Sequence, residues 1–457
     1  MNKITIEEIR KACCGQLLSG DETDTIDGVA IDSRKIKPGQ LFVPIIGAVH
    51  DAHKFLPQVY EAGCRTFLVS DRKAAEPYGD CNVVLVEDTT KGMQLLAKYY
   101  LEKLNLKKIT VTGSVGKTST RDMVYSILSE KYKTGTTVGN LNSDWGVPLT
   151  IFSFDDSMEA AVLEIGMDRF GEIHRLVDII RPEVGLITNV GISHVENLGS
   201  REGILQAKME TVDFFGEENT LVINQSNDML STVESDVYRI IRVGLEPSDD
   251  YYVHDICDHG DKGVDYQLTV KAEGRTYPVH LDIPGAHNAL NSAMALAGCR
   301  LHGVETEDGI PGLRKVALTG SRLTIREKDG IKIIDDAYNA APDSVKSALN
   351  TLMSMEGKRK IALLGGMNEL GGESARYHRE VGAYAAEKEI DLLITVGEKA
   401  FDYVAGAREG LGEERILHFA EKEDLYAAAE GLFREGDVVL VKASRGMEFE
   451  QIIEKLW

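Results

Sequence analysis

Cysteine is scarce and scattered in this sequence. Six occur in 457 residues, at positions 13, 14, 64, 81, 257 and 299, with no Cys-x-x-Cys pair. That spacing argues against a zinc site or a disulfide framework and fits a chain with reduced thiols. Long apolar runs are missing too: nowhere do 18 apolar residues follow one another, so no helix is expected to span a bilayer. The opening residues 1–6 run straight into a polar helical pattern without the apolar stretch of a signal peptide, and a cytoplasmic location is expected. Positive charge is outweighed, with 51 Lys and Arg against 73 Asp and Glu and a formal charge of −22. Such a surface repels phosphate backbones and anionic lipid, so neither nucleic acid nor membrane insertion is expected. Any anionic substrate must then be met by a local basic or dipolar site. Repeats and low-complexity segments are also lacking.

What is present is a large apolar fraction, 43% of the residues. A chain of this length points to about three domains. Residues 1–105 alternate short strands and helices, with apolar runs of buried-strand length at 66–69 and 83–86 and a charged helical stretch over 92–106. Residues 106–312 open with a strand at 108–112, a glycine turn and a helix from about Ser119, followed by strands at 160–165, 185–189 and 220–224 separated by helical periodicity. This is the rhythm of a parallel sheet with helices on both faces. Residues 250–283 read as antiparallel strands and 285–301 as a helix. Residues 313–457 hold apolar strands at 361–364, 392–396 and 438–441 between helices. The expected architecture is α/β in three domains.

The strongest local signal is Thr112-Gly113-Ser114-Val115-Gly116-Lys117-Thr118, set between a predicted strand and a predicted helix. Phosphate-binding loops need that context: glycines let backbone N–H groups converge on phosphate oxygens, and the helix N-terminus adds a favourable dipole. Lys117 would reach the terminal phosphates, and the Thr118 hydroxyl would ligate Mg²⁺. Val111 stands where a glycine is usual, so the loop matches a shorter variant. By itself the loop leaves motor, kinase, GTPase and ligase open. Glu164 ends a buried strand, at the edge where a parallel sheet presents groups to ligands, although a solvated strand end reads the same way. His194 again just follows a strand. A lone histidine is more often structural, and Mg²⁺ prefers oxygen. Lys208 falls on a predicted helix over 202–214, where a lone lysine usually faces water.

Together these residues resemble those of the Mur ligases. Gly113-Ser114-Val115-Gly116-Lys117-Thr118, Glu164-Ile165-Gly166, Thr188-Asn189 with His194, and Ala207-Lys208 fall in that family's order and spacing. Pro284-Gly285-Ala286-His287-Asn288-Ala289-Leu290-Asn291 and Asp335-Asp336-Ala337-Tyr338-Asn339-Ala340 extend the resemblance over essentially the whole chain. Gly139-Asn140-Leu141-Asn142, the stretch from Asp335 to Pro342, the stretch from Leu364 to Gly371 with His378, and the stretch from Lys442 to Met447 point to the type that ligates D-alanyl-D-alanine to UDP-N-acetylmuramoyl-tripeptide.

The resemblance implies an ATP- and Mg²⁺-dependent ligase that works through an acyl phosphate in peptidoglycan precursor synthesis. It implies a central P-loop-type sheet domain (106–312) and a C-terminal Rossmann-like domain (313–457), preceded by a domain for the UDP-sugar acceptor (1–105). Nucleotide is expected on Gly113, Ser114, Val115, Gly116, Lys117, Thr118 and Ser119, with Asn291 at adenine, Asp336 at ribose and Arg322 at a phosphate. Lys208 is expected to be carbamylated and to join Thr118, Glu164 and His194 around the metal ions. Ser33, Arg34, His53, Asn140, Asn142, Tyr338 and Asn339 are expected at the acceptor and amine, in a monomer. Four stretches depart from the family pattern: Asn339-Ala340-Ala341-Pro342 for Asn-Ala-Asn-Pro, Leu364-Gly365-Gly366-Met367 for Leu-Gly-Asp-Met, Asn142-Ser143-Asp144 for Asn-Asn-Glu, and Asp51-Ala52-His53-Lys54-Phe55 for Asp-Gly-His-Asp-Phe. All lie where substrates are expected, which keeps open a Mur-type paralogue with another amine or acceptor. A nucleotide-dependent switch that hydrolyses ATP without ligating is the reading from another class.

Overall fold

The computed structural model describes residues 1–47, 49–320 and 322–457. The chain opens on a two-residue strand, Ile4–Thr5, paired with Thr25–Ile26, before its first helix, Ile6–Ala12. The helical pattern expected from the first residue therefore starts late, at a capping box in which Thr5 and Glu8 satisfy each other's backbone N–H. A five-stranded sheet follows in the order Gln16–Ser19, Asn82–Leu85, Thr66–Val69, Gln40–Phe42, Gly28–Ala30, parallel except at its first pair.

The helix Thr89–Leu104 ends this region. Asp88 accepts from Lys91 N at its start, and Asn105 takes a left-handed turn (φ +48°) at its end. Its buried stripe, Met93, Leu96, Ala97, Tyr100 and Leu101, has helical spacing. The Tyr100 hydroxyl donates to Phe154 O (2.8 Å) and accepts from Asn2 N (2.7 Å). One continuous core therefore runs from Ile4 through this helix to Val233.

Nine strands form the central sheet, in the order Arg275–Leu281, Val264–Val270, Tyr251–Asp258, Arg239–Gly244, Thr220–Asn224, Val184–Ile187, Lys107–Thr112, Ala160–Glu164, Thr134–Thr136. All neighbours are parallel except those within the first three strands, as the reading of 250–283 requires. Burial of both faces explains the unbroken apolar runs: Ala160 and Val162 belong to one core, Ala161 and Leu163 to the other. The first parallel strand, Lys107–Thr112, is flanked by Ala160–Glu164 and Val184–Ile187, so the chain reverses its direction of sheet growth there. Ligand crevices open beyond the carboxyl ends of strands at such a switch point.

A six-stranded sheet follows, in the order Thr324–Lys328, Ile331–Asp335, Asp437–Lys442, Arg359–Gly365, Leu392–Val396, Ile416–Phe419, parallel except at its first pair. Ile361 and Leu363 face one of its cores, Ala362 and Leu364 the other. Among the described residues no helix is long and apolar enough to cross a membrane.

Helix ends differ from expectation elsewhere too: the charged stretch expected over 92–106 runs Thr89–Leu104. The helix expected from about Ser119 begins at Lys117, because Gly116 (φ +85°) ends the loop abruptly. The one expected over 202–214 is α-helical only over Arg201–Met209 and tightens to a 3₁₀ turn at Glu210–Val212.

Candidate active site

The loop after strand Lys107–Thr112 is held from the neighbouring strand's end. Ser114 N donates to Asn189 O (3.0 Å), Val115 N to Asn189 Oδ1 (2.8 Å), Thr188 Oγ1 to Val115 O (2.5 Å), and Gly191 N to Ser114 Oγ (3.0 Å). A Cβ on Gly113 would lie 1.9 Å from Thr188 Oγ1, so only glycine fits there. With Gly116 as the cap, the first-turn N–H groups of Lys117, Thr118 and Ser119 have no intrahelical partner and point out of the helix. Lys117 Nζ folds back to donate to Gly113 O (2.7 Å). Burial lowers the Lys117 pKa, opposed by the Glu164 carboxylate. Asn291 sits behind the loop, its amide 3.2 Å from where a Gly116 Cβ would be, and donates to Asn288 Oδ1.

Glu164 is 1% exposed at its strand's carboxyl end. Thr118 Oγ1 donates to its Oε2 (2.6 Å) and Asn142 Nδ2 to its Oε1 (2.8 Å). A hydroxyl and a buried carboxylate beside a phosphate-type loop form a hard oxygen set, the chemistry Mg²⁺ selects.

Lys208 corrects the reading of a lone helical lysine as a solvated one: it is 2% exposed. Burial pushes its pKa well below the usual lysine value, with Lys117 adding to the effect. No ion pair holds it among the described residues.

His194 has a left-handed backbone (φ +65°). Its Nδ1 lies 2.7 Å from Glu369 Oε2 and 3.0 Å from Asp168 Oδ1, out of line for a hydrogen bond with either. Burial opposes protonation, the two carboxylates outweigh it, and the pKa rises. Asp168, His194 and Glu369 place ligand atoms within 4.8 Å of one another, joining the central and C-terminal regions.

The phosphate loop opens on a cleft of about 510 Å³. Its far wall carries Arg322, Asp336, Tyr338 and Asn339. Lys442 Nζ donates to Asp336 Oδ2 (2.5 Å) and Asn339 O (2.8 Å). Burial raises the Asp336 pKa and Lys442 opposes it. The Arg322 guanidinium lies 4.3 Å from the Tyr338 ring centroid. His287 also faces the cleft, and burial lowers its pKa to about 4, leaving it neutral.

Sequence reasoning assigned no role to Lys442, His287, Asp168 or Glu369. Lys442, His287 and Glu369 lie in stretches that carried the family resemblance, and Asp168 does not. Asp168 and Glu369, 201 residues apart in number, left no signal that could have paired them.

The structure does not bring every expected residue to this cleft. Ser33, Arg34, His53 and Asn140 do not line it, nor do Gly113, Lys208 and Asn291, although Gly113 and Asn291 adjoin the phosphate loop. Arg34 forms a two-point ion pair with Asp32 and holds that carboxyl down at about 2, while Ser33 Oγ donates to Gln58 Oε1 (3.3 Å). His53 is turned inward: Nδ1 contacts Asp51 Oδ1 (2.6 Å) and Nε2 accepts from Ser70 N (3.0 Å). Both ring nitrogens are thereby occupied within the first region. Of the four departures from the family pattern, Ser143 and Ala341 line the cleft, whereas Ala52 and Gly366 do not.

Comparison with known proteins covers the whole length. The Mur ligase middle domain family matches residues 111–299, and the Mur ligase, glutamate ligase domain family matches 321–445. The UDP-N-acetylmuramoyl-tripeptide–D-alanyl-D-alanine ligase of Bacillus subtilis (strain 168) is 37% identical over 459 residues, covering 100% of this chain and 99% of its own. The crystal structure of MurF from Acinetobacter baumannii superposes with a TM-score of 0.92 at 28% identity, covering 100% of this chain and 99% of that one. MurF ligase from Thermotoga maritima, solved in complex with ADP, gives 0.82 at 27% identity, covering 94% and 96%.

Proposed function

The chain belongs to the Mur ligase family, and from that premise we propose that it adds D-alanyl-D-alanine to UDP-N-acetylmuramoyl-tripeptide, converting ATP to ADP and phosphate. The observation that carries this reading is the cleft itself. A phosphate loop with a buried carboxylate on one wall faces an arginine and a carboxylate–lysine pair on the other, so ATP has donors for its phosphates and an acceptor for its ribose between two regions.

In the first step the acceptor's terminal carboxylate attacks the γ-phosphorus, and the bond to ADP breaks. In the second the dipeptide amine attacks the acyl-phosphate carbonyl, loses a proton, and phosphate leaves. On binding ATP, Lys117 exchanges the Gly113 carbonyl for phosphate oxygens, beside the free N–H groups of Lys117, Thr118 and Ser119. Arg322 neutralises phosphate charge, Asp336 accepts from ribose hydroxyls under the hold of Lys442, and Asn291 meets the adenine. Charge neutralisation and positioning supply most of the rate. Ser33 and Arg34 in residues 1–105 serve the UDP-sugar, and His53, turned inward onto Asp51 and Ser70, supports that region from within. Asn140, Asn142, Tyr338 and Asn339 border the peptide and the amine. Residues 106–312 hold nucleotide, and 313–457 close over it to keep the acyl phosphate from water.

Thr118 and Glu164, with His194 and a carbamylated Lys208, would hold Mg²⁺, whose charge would offset that of the transferring phosphate. Lys208 suits carbamylation because a buried amine held towards its neutral form is the form that reacts with carbon dioxide. The reading is of a monomer that acts in the cytoplasm.

The test is incubation with UDP-N-acetylmuramoyl-tripeptide, ATP, Mg²⁺ and D-alanyl-D-alanine, with mass detection. A product heavier by the dipeptide less water is expected. Ligation of another amine from a panel, or ATP turnover indifferent to any amine, would replace this reading.

A further inference from the structure

The segment joining the central and C-terminal regions is laced along the helix Lys117–Leu128, whose first residue is the phosphate-loop lysine. Three side chains spaced four residues apart, Asp122, Ser126 and Glu130, hold it. Ser126 Oγ donates to Gly312 O (2.7 Å), and Lys315 Nζ donates to both Glu130 carboxylate oxygens (2.8 Å each). Thr319 N donates to Asp122 Oδ2 (2.8 Å) and Thr319 Oγ1 to Asp122 Oδ1 (3.1 Å). Asp122 and Ser126 lie one turn apart on one face of the helix and Glu130 in the turn just past its end, so the segment runs back towards the phosphate loop. Three residues after the last attachment comes Arg322, in the nucleotide cleft.

That last attachment is buried and charged. Asp122 is 6% exposed and Arg121 is fully buried. Arg121 Nη2 lies 2.7 Å from Asp122 Oδ1, and Nη1 donates to Thr137 O. Thr137 Oγ1 in turn accepts from Glu164 N (3.0 Å). One network thus ties the backbone of the metal-site carboxylate, the phosphate-loop helix and Thr319. A buried ion pair contributes little net stability against its desolvation, but it fixes geometry. Among the described residues of the junction, Gly320 (φ +78°) and Leu323 (φ +50°) are left-handed, and both lie beyond Thr319.

We propose that Asp122, acting through Thr319, is a positioning residue for Arg322. It clamps the junction to the phosphate-loop helix, so that Arg322 meets the ATP phosphates in register with Lys117. This rests on the reading of Arg322 as a nucleotide contact.

The test is a double-mutant cycle on the full chain. Thr319→Val removes one hydroxyl and keeps the backbone N–H, and Asp122→Asn keeps the shape and removes the charge. kcat and the KM values for ATP and for UDP-N-acetylmuramoyl-tripeptide are measured for both, for Arg322→Ala and for the two double variants, with thermal melting of each. KM for ATP should rise about three-fold in Thr319→Val and about ten-fold in Asp122→Asn, with the other KM unchanged, and neither should add to Arg322→Ala, because groups acting through one residue are non-additive. Effects that multiply in the double variants, or equal rises in both KM values, would overturn the assignment. If Asp122→Asn fails to fold because Arg121 is left unpaired, Thr319→Val carries the same cycle. An Arg322→Ala enzyme with unchanged KM for ATP removes both the nucleotide role of Arg322 and the clamp. An impaired Arg322→Ala enzyme with multiplying partners removes only the clamp.

Discussion

Lys117 and Lys208 differ in what burial asks of each. Lys117 spends its protons on the Gly113 carbonyl until phosphate replaces it. Lys117→Ala should lower the rate by about 10²-fold or more, the usual cost of removing one donor aimed at developing charge. ADP release beside an unchanged melting temperature checks this. Lys208 is buried with no counter-ion among the described residues, and its folded pKa lies below its unfolded one. Such a cation opposes folding at neutral pH, and the penalty fades as pH climbs towards the unfolded value. Lys208→Met should therefore melt higher than wild type in bicarbonate-free neutral buffer, with the gap closing as pH rises. Lys208→Ala should be nearly inactive and partly restored by short carboxylates, whereas Lys208→Arg should stay inactive because a guanidinium keeps its charge. Full activity of either variant would reduce Lys208 to a packing residue.

At the scale of elements, the phosphate loop depends on a neighbour it does not touch in sequence. Thr188 and Asn189, at the end of the adjacent parallel strand, hold its turn. Gly113→Ala would push a methyl into Thr188 Oγ1 at a backbone φ of +153°. Loss of ADP binding by calorimetry is expected, with a lowered melting temperature; normal ADP affinity would show that the loop can shift aside. The strands around this site were legible because both faces are buried and the apolar runs are unbroken. Boundaries were less so: the helix after the loop starts two residues early because of the left-handed Gly116, a conformation rather than a periodicity.

At the scale of the whole molecule, the cores decide cooperativity. One core runs from Ile4 to Val233, through the helix Thr89–Leu104, and joins the first region, which also has a smaller core within residues 36–83, to the central one, whereas the residues beyond Leu323 have cores shared with the rest, among the described residues, only through Ile192. Calorimetry should resolve two transitions, residues up to about 312 melting together. ADP with Mg²⁺ should raise the melting temperature, by linkage about 2.7 kcal/mol at a hundred-fold excess over Kd. Separate melting of residues 1–105 would contradict the shared core.

The sequence by itself determined the α/β class, the phosphate loop with Lys117 and Thr118, and the position of Glu164 at a strand end, because each is written in local periodicity and in residues adjacent along the chain. The tertiary structure alone decided that Lys208 is buried beneath an apparently polar helix, that His53 is turned inward, and that His194 meets Asp168 and Glu369. It alone set Asp122 beneath Thr319, 197 residues on. Those facts depend on which faces pack together, and packing between distant segments leaves no periodic trace in either one.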